Sequence, residues 1–458
     1  MKITEILQEI EANYPVGNIT CKGICVWTYI RTKVYVFLKL SFYGKRVARH
    51  VSLKNLKILV WGLFRYNPLL LFRKYKVWLF VDHERRKIID GVAYLRVSGA
   101  IPEIEKDTLV IEKNTISYYL PKKYVAEKYI ISDFILVAFT LLFDVCYRFI
   151  KLKIENEQVL CELINKYHLS VDYKASVRRL LAQYKAMNLF LFLFPTPKTV
   201  FIECPYVSPG FLVSFKRKKI KVVEMQHGVI NENHFAYNST IKNNHYSPDK
   251  LFVYGDYELK IFKEFNKWYV DQENIVKVGS FILEKISKVN TENLFSFHRK
   301  KYSCITVISG IEFYDLRTIE FINLAAEYDK RICYVYVPRE RKNYAGYDLA
   351  DNLEIDMDHN IYFLLKECDI HITVGSSTCF EAHYFSKKTV FINFDNIAWD
   401  YYNEVLNTRN GGFFCTTPQE LVSIIQKEYS QPMVNPISFF EKNHYENLEK
   451  QIGQLLCY

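Results

Sequence analysis

From Lys198 to Phe394 the chain alternates short β-branched runs with helical stretches, and this confines it to parallel α/β architectures, because parallel neighbours must be joined by a long crossover, usually a helix. Val200 to Cys204, Lys221 to Met225, Leu251 to Tyr254, Ile275 to Val278, Ile305 to Ile308, Ile332 to Val337, Ile370 to Val374 and Val390 to Phe394 read as strands. Helical periodicity lies between them, as in Tyr257 to Phe265, Leu316 to Glu327, Ile361 to Cys368 and Thr378 to Phe385. Between Ile286 and Tyr302 the pattern lapses into Asn, Thr, Ser and Lys before a fresh strand starts at Ile305. The expectation is two Rossmann-like domains facing a cleft, residues 1–290 and 291–435, with a helix in 436–458 crossing back to the first. Upstream the pattern is less regular: Ile24 to Leu40 and Val77 to Val97 read as strands, Ile130 to Tyr167 and Ala175 to Phe194 as long helices.

The 458 residues are 50% hydrophobic and 24% charged, which excludes a disordered or collagen-like chain. The net charge of +11 is unevenly placed, with +18 on residues 1–290 and −7 on 291–458. Its densest part runs from Ala12 to Val81, which holds no Asp or Glu but includes Lys22, Lys39, Lys45, Arg46, Arg49, Lys54, Lys57 and Arg73. Such a stretch is either a solvated face or a contact with anionic lipid or a lipid-linked phosphate. No zinc-finger spacing, RNP-type strand or basic zipper accompanies it, so nucleic acid is not expected as a partner. The opening Met1 to Glu11 reads as an amphipathic helix and not a secretory signal. The uncharged run Phe134 to Phe143 is too short to span a bilayer and is expected as a buried helix. The 11 Cys contain no CxxC pair, which suggests reduced thiols in the cytosol and neither a zinc site nor a disulfide framework. The aromatic residues are spread over the whole chain and point to no particular ligand.

The segment Val222 to Gly228 is an apolar strand running into polar residues, and strand C-termini in a parallel sheet open on the ligand crevice. Glu224, Gln226 and His227 therefore stand where a site is built, and Gly228 permits a sharp turn or a close ligand approach. His234 and Tyr237 follow in the loop. In the second half, Gly375, Ser376, Ser377 and Thr378 follow a strand and open a helix, so free N–H groups and hydroxyls form an anion pocket suited to a nucleotide phosphate. Thr378 to Glu381 also fits a capping box. Ser309 and Gly310 end the first strand of the second domain and are secondary candidates at the same edge. Asp356-Met357-Asp358 spells a metal-binding DxD string, but Asp358 is placed to cap the helix at Ile361, so no metal is expected. There is no P-loop, GxGxxG or GxSxG string, which disfavours an NTPase, a dehydrogenase or a hydrolase of those kinds.

Glu224-x-Gln226-His227-Gly228 at a strand end, Leu251 to Asp256, Val278-Gly279-Ser280 and Asp369 to Ala382 together resemble bacterial GT-B glycosyltransferases of capsule, O-antigen and lipooligosaccharide assembly. More distantly the chain is similar to teichoic-acid glycerophosphotransferases and to the UDP-N-acetylglucosamine 2-epimerase fold. The resemblance implies a metal-independent, cofactor-free glycosyltransferase that moves a sugar from a nucleotide-sugar donor to a lipid-linked glycan acceptor. Its setting would be the cytoplasm, peripheral at the inner face of the membrane. His227 or Glu224 is then the general base, and Glu381 meets the nucleotide ribose. Arg339 offers a fork of donors to phosphate, although Val337 stands where many of these enzymes carry a His before the Pro. A glycerol- or ribitol-phosphate transferase, a sugar-nucleotide epimerase and a glycan-binding protein on a decayed fold are the alternatives.

Overall fold

The structure is a computed structural model that describes residues 3–43, 61, 62, 64, 66–82, 86–113, 120–242, 245–339, 342–344, 346–433 and 438–457. The chain divides into two units, Met1–Phe281 with Glu441–Tyr458, and Ile282–Phe440. The first is built on a seven-stranded sheet of β1 (Val77–Asp82), β2 (Thr108–Lys113), β3 (Ile130–Ser132), β4 (Thr199–Glu203), β5 (Lys221–Met225), β6 (Lys250–Val253) and β7 (Ile275–Lys277). Every pairing is parallel and the spatial order is β7-β6-β5-β4-β1-β2-β3. The second holds a six-stranded sheet of β8 (Cys304–Ser309), β9 (Ile332–Val337), β10 (Leu353–Ile355), β11 (Ile370–Thr373), β12 (Lys388–Ile392) and β13 (Gly412–Cys415). Its order is β10-β9-β8-β11-β12-β13, again wholly parallel.

In both sheets the chain begins in the middle, builds to one edge, returns to the middle and builds to the other. This is the doubly wound order of a Rossmann domain, with a switch point between β1 and β4 in one unit and between β8 and β11 in the other. The two Rossmann-like domains expected from the alternating pattern are thus present. The strands are mainly apolar and buried on both faces: all six residues of β8 and of β9 are buried. The expected strands from Val200 onward are found with ends shifted by two residues or fewer. The short strands β10 and β13, at the two edges of the second sheet, were not expected, since three or four residues carry no periodic signal.

The N-terminal third departs further. Of Ile24 to Leu40 only Ile24–Cys25 is strand, paired antiparallel with Thr20–Cys21, and from Trp27 onward the segment is helix α1 (Trp27–Tyr43). Its many β-branched and aromatic residues favour strand by propensity, but Trp27, Ile30, Val34 and Leu38 recur at helical spacing and all are buried in one cluster. Ile130 to Tyr167 is not one helix: Ile130–Ser132 is the edge strand β3, α2 covers Phe134–Arg148, and a separate helix spans Glu157–Lys166. Val77 to Val97 holds β1 and then a short hairpin pairing Arg86–Ile89 with Val92–Leu95. Helix α3 (Tyr173–Leu193) packs on α1 and α2. Helix α4 (Thr378–Tyr384) follows β11, and α5 (His444–Leu456) seats Leu448, Ile452 and Leu455 in the core beside Phe281 of the first unit. Gly279 is required at that seam, because its φ is +79° and an added Cβ would stand 2.1 Å from the Glu441 carbonyl oxygen.

One buried ion pair ties the N-terminal helices to the loop after β5. Glu11 accepts from Arg31 Nε at 2.7 Å, Trp27 Nε1 at 3.0 Å, Ser239 Oγ at 2.9 Å and the Thr240 N–H at 2.8 Å. Arg31 donates onward to Asn238 Oδ1 at 2.9 Å and to the Phe235 carbonyl. Both side chains are almost wholly buried, so removing one leaves the other charged and unpaired in the core. Arg31→Leu is therefore expected to cost about 3–5 kcal/mol in urea denaturation, and Arg31→Leu with Glu11→Leu to cost less than Arg31→Leu alone.

Candidate functional site

The C-terminal edge of the first sheet gathers residues from two adjacent strands. Cys204, directly after β4, has a φ of +54°, an uncommon conformation for a residue with a side chain. That bend turns the chain into Pro205-Tyr206 and brings both side chains onto His227 at the end of β5. His227 Nε2 lies 3.0 Å from Cys204 Sγ and 3.2 Å from Tyr206 Oη, and its carbonyl accepts from Arg96. A thiol and a phenol that can both donate to Nε2 favour the tautomer in which that nitrogen is basic. His227 is partly exposed. Tyr206, His234, Phe235 and Tyr237 form an aromatic wall beside it, and burial pushes the His234 pKa down to about 4.

The other candidates from this strand are turned inward. Glu224 is fully buried and accepts from Tyr237 Oη at 2.7 Å and from Tyr269 Oη. Burial raises its pKa to about 7 against the opposing effect of the two tyrosine hydrogen bonds. Gln226 spends its amide on the protein: Nε2 donates to the Gly228 carbonyl at 2.8 Å and to Glu258 Oε1 at 2.7 Å, and Oε1 accepts from the Tyr254 N–H at 2.7 Å. It fixes the loop that carries His227 and Gly228. Gly228 does not have a positive φ, so the turn does not require glycine, and an added Cβ there would meet nothing within 4 Å.

In the second unit the candidates meet at the switch point between β8 and β11. Ser309 Oγ, at the end of β8, lies 2.6 Å from Thr378 Oγ1, the first residue of α4. Both reach His371 Nε2, at 2.8 and 3.3 Å. Thr373 Oγ1 accepts from the N–H groups of Gly375 and Ser376 at 3.3 and 3.0 Å and shapes the turn between strand and helix. The capping box expected at Thr378 and Glu381 is not formed. Thr378 is the first helical residue and its hydroxyl points back to Ser309 and His371, while the N-cap residue Ser377 makes no side-chain cap. Glu381 is buried and accepts from Tyr362 Oη at 3.4 Å.

Gly310 is needed for a protein contact, since an added Cβ would lie 2.5 Å from Tyr336 Oη, which donates to the buried Asp315. Arg339 is exposed at the end of β9 and forms no ion pair with Asp348, while Glu340 lies outside the described residues. The helix at Ile361 is capped by Asn360 and not by Asp358. Asp356 instead accepts from the N–H groups of Asp358 and His359, both at 2.9 Å, and closes its own turn. At the opposite, N-terminal half of this sheet His298, Cys333 and Glu354 come together, but His298 Nε2 already pairs with Glu354 at 3.0 Å and burial pushes the Cys333 thiol up to about 12, far from thiolate.

Sequence reasoning missed Cys204, Tyr206, Tyr269, His371 and Thr373. For the last two a signal existed: His and Thr occupy alternate positions of a strand whose remaining residues are Ile, so both face one side. The raised pKa of Glu224 makes a prediction. Its folded value of about 7 lies above the usual carboxylate value, so the protonated form is favoured by folding and stability falls as pH rises from about 4.5 through about 7; Glu258, pushed up to about 7 by burial, acts in the same sense. Glu224→Gln should flatten this fall by up to about 3 kcal/mol in denaturation curves taken across that window.

No protein-family model matches the chain, and no curated protein does. Solved structures do. The UDP-GlcNAc 2-epimerase from Methanocaldococcus jannaschii is 10% identical with a TM-score of 0.49, covering 84% of this chain and 100% of that one. The wall teichoic acid polymerase TagF is 13% identical with a TM-score of 0.47, covering 94% and 98%. The calicheamicin glycosyltransferase CalG4 is 11% identical with a TM-score of 0.46, covering 84% and 94%. The Rossmann assignment of each unit stands on its own strand order.

Proposed function

We propose that this chain is a glycosyltransferase that uses a nucleotide-activated sugar, the second unit binding the donor nucleotide and the first presenting the acceptor hydroxyl to His227. The observation that carries the reading is the position of Ser309 and Thr378. They come from different segments, meet at 2.6 Å, and do so at the switch point of a doubly wound sheet, where ligands of this architecture bind. The hydroxyls of this turn suit a phosphate, with exposed Arg339 at the neighbouring strand end as a further donor, whereas the N–H groups of Gly375, Ser376 and Thr378, expected to be free, are given to Thr373 and Ser376. Glu381 is the candidate for the ribose.

In this reading the acceptor hydroxyl replaces Cys204 and Tyr206 at the single Nε2 lone pair of His227, which takes its proton as the acceptor oxygen bonds to the anomeric carbon and the bond from that carbon to the nucleotide phosphate breaks. The leaving phosphate keeps the electron pair and is stabilised by the donors of the second unit. Glu224 has no exposed surface, so we assign it to holding Tyr237 and Tyr269 and leave the base to His227. The acceptor is a growing bacterial surface polysaccharide on a lipid carrier, a reading favoured by the basic first unit.

An exposed apolar face supports peripheral contact with an anionic membrane. Leu141, Leu142 and Val145 on α2 are each about half exposed, and Phe149 directly after it is 86% exposed. Phe134 to Phe143 is therefore not the wholly buried helix expected from its composition. Exposed Arg148, Lys151 and Lys153 flank this face and complement anionic headgroups. Lys45, Arg46 and Arg49 lie outside the described residues. No helix among the described residues is long and apolar enough to cross a membrane.

Saturation-transfer NMR against UDP, GDP, CDP and CMP sugars and CDP-glycerol identifies the donor, and product mass the group moved. Transfer of a glycerol phosphate, or epimerisation without an acceptor, would replace this reading. His227→Ala is expected to lower kcat by about 10²- to 10⁴-fold, and wild-type turnover in that variant would overturn its role. In vesicle sedimentation Phe149→Glu and Lys151→Glu with Lys153→Glu should each release the protein from anionic vesicles, and undiminished binding by both would remove the membrane assignment.

A further inference from the structure

Four buried or half-buried side chains of the second unit share one line of hydrogen bonds. Thr389 Oγ1 on β12 lies 3.0 Å from His371 Nδ1, His371 Nε2 lies 2.8 Å from Ser309 Oγ, and Ser309 Oγ lies 2.6 Å from Thr378 Oγ1. The imidazole is neutral, because burial pushes its pKa down to about 3. A neutral imidazole carries one hydrogen and each hydroxyl carries one, so four hydrogens meet these three contacts and one is left over, on Thr389, Ser309 or Thr378; the longer approach of Thr378 Oγ1 to Nε2, at 3.3 Å, shares a hydrogen already counted, and a surplus on the buried Ser309 would be left in the core. If the line runs from Thr378 inward, the surplus hydrogen sits on Thr389, which is fully buried and has no other side-chain partner among the described residues. If it runs from Thr389 outward, the surplus sits on Thr378, which is partly exposed at the ligand edge of the sheet. A donor left unsatisfied in the core costs more than an ordinary hydrogen bond contributes, whereas water or a ligand can accept from Thr378. The outward direction wins: Thr389 O–H donates to Nδ1, Nε2–H to Ser309, and Ser309 O–H to Thr378.

We infer that His371 is a positioning residue whose Nε2–H tautomer sets the direction of this line, so that the Thr378 hydroxyl is held as a donor toward a ligand oxygen that only accepts, as a nucleotide phosphate oxygen does. The ligand half of this inference rests on the reading of the second unit as the nucleotide-binding half. The direction of the line does not, since it follows from the count of hydrogens in the free protein.

Histidine-selective ¹⁵N labelling, with the His371 signal assigned through His371→Gln, reads the tautomer directly. A protonated Nε2 and a bare Nδ1 are expected both in the free protein and with UDP or CDP added. The opposite tautomer would overturn the inference. Titration with UDP and CDP gives the second readout. Thr378→Val and His371→Leu should each weaken the nucleotide that binds by about tenfold, the scale of one hydrogen bond to a charged group. His371→Gln, which keeps an N–H within reach of Ser309, should recover most of that loss. If wild type binds nucleotide and both Thr378→Val and His371→Leu bind it equally well, the positioning role is wrong while the nucleotide reading stands. If wild type binds none of the nucleotides, the ligand half of this inference falls together with that reading. Should His371→Leu fail to fold, Thr378→Val and the tautomer decide between these outcomes.

Discussion

A parallel strand cannot pass the chain directly to its neighbour, so each connection crosses back over a face of the sheet, and all strands end on one edge. This constraint organises everything else in the molecule. It buries both faces of each sheet, which is why every residue of β8 and β9 is buried. It also delivers residues that are distant in sequence to one line of loops: Ser309 and Thr378 are 69 residues apart and touch because β8 and β11 are neighbours at the place where the winding reverses.

Within that frame, the polar groups that the strands carry into the core decide how the edge is shaped. Glu224, Gln226 and His371 sit in or next to strands, none is exposed, and each is satisfied by several partners. A buried polar group without partners is costly, so such groups hold their neighbours in fixed places. Gln226 holds the loop of His227, and His371 holds the two hydroxyls at the switch point of the second unit. The Glu11–Arg31 pair does the same on a larger scale, fastening the N-terminal helices to the loop that carries the aromatic wall.

How much of this was legible depended on whether a residue's role is local. Lys221–Met225 and Ile332–Val337 were read to the residue because a bounded apolar run is a local signal. Trp27–Tyr43 was misread because its composition favours strand while its burial pattern is helical, and the tertiary contact of one face outweighed propensity. His227, Ser309 and Thr378 were proposed from their place after apolar runs, and that placement at strand ends is what the structure shows. The capping box at Thr378 was misread because a hydroxyl that can cap a helix can also reach a neighbouring strand, and only the position of Ser309 settles which.

The sequence by itself determined the parallel α/β class, the two Rossmann-like domains and the strand ends at which chemistry can be placed, because these follow from periodicity and from the rule that parallel strands need crossovers. The tertiary structure alone decided which candidates face outward and which inward. It made Glu224 a buried carboxyl held by two tyrosines, gave His227 its Cys204 and Tyr206 partners, and joined Ser309, Thr378 and Thr389 through His371. Those outcomes depend on which strands lie side by side and on how the buried hydrogens are shared, and neither is encoded in the spacing of residues along the chain.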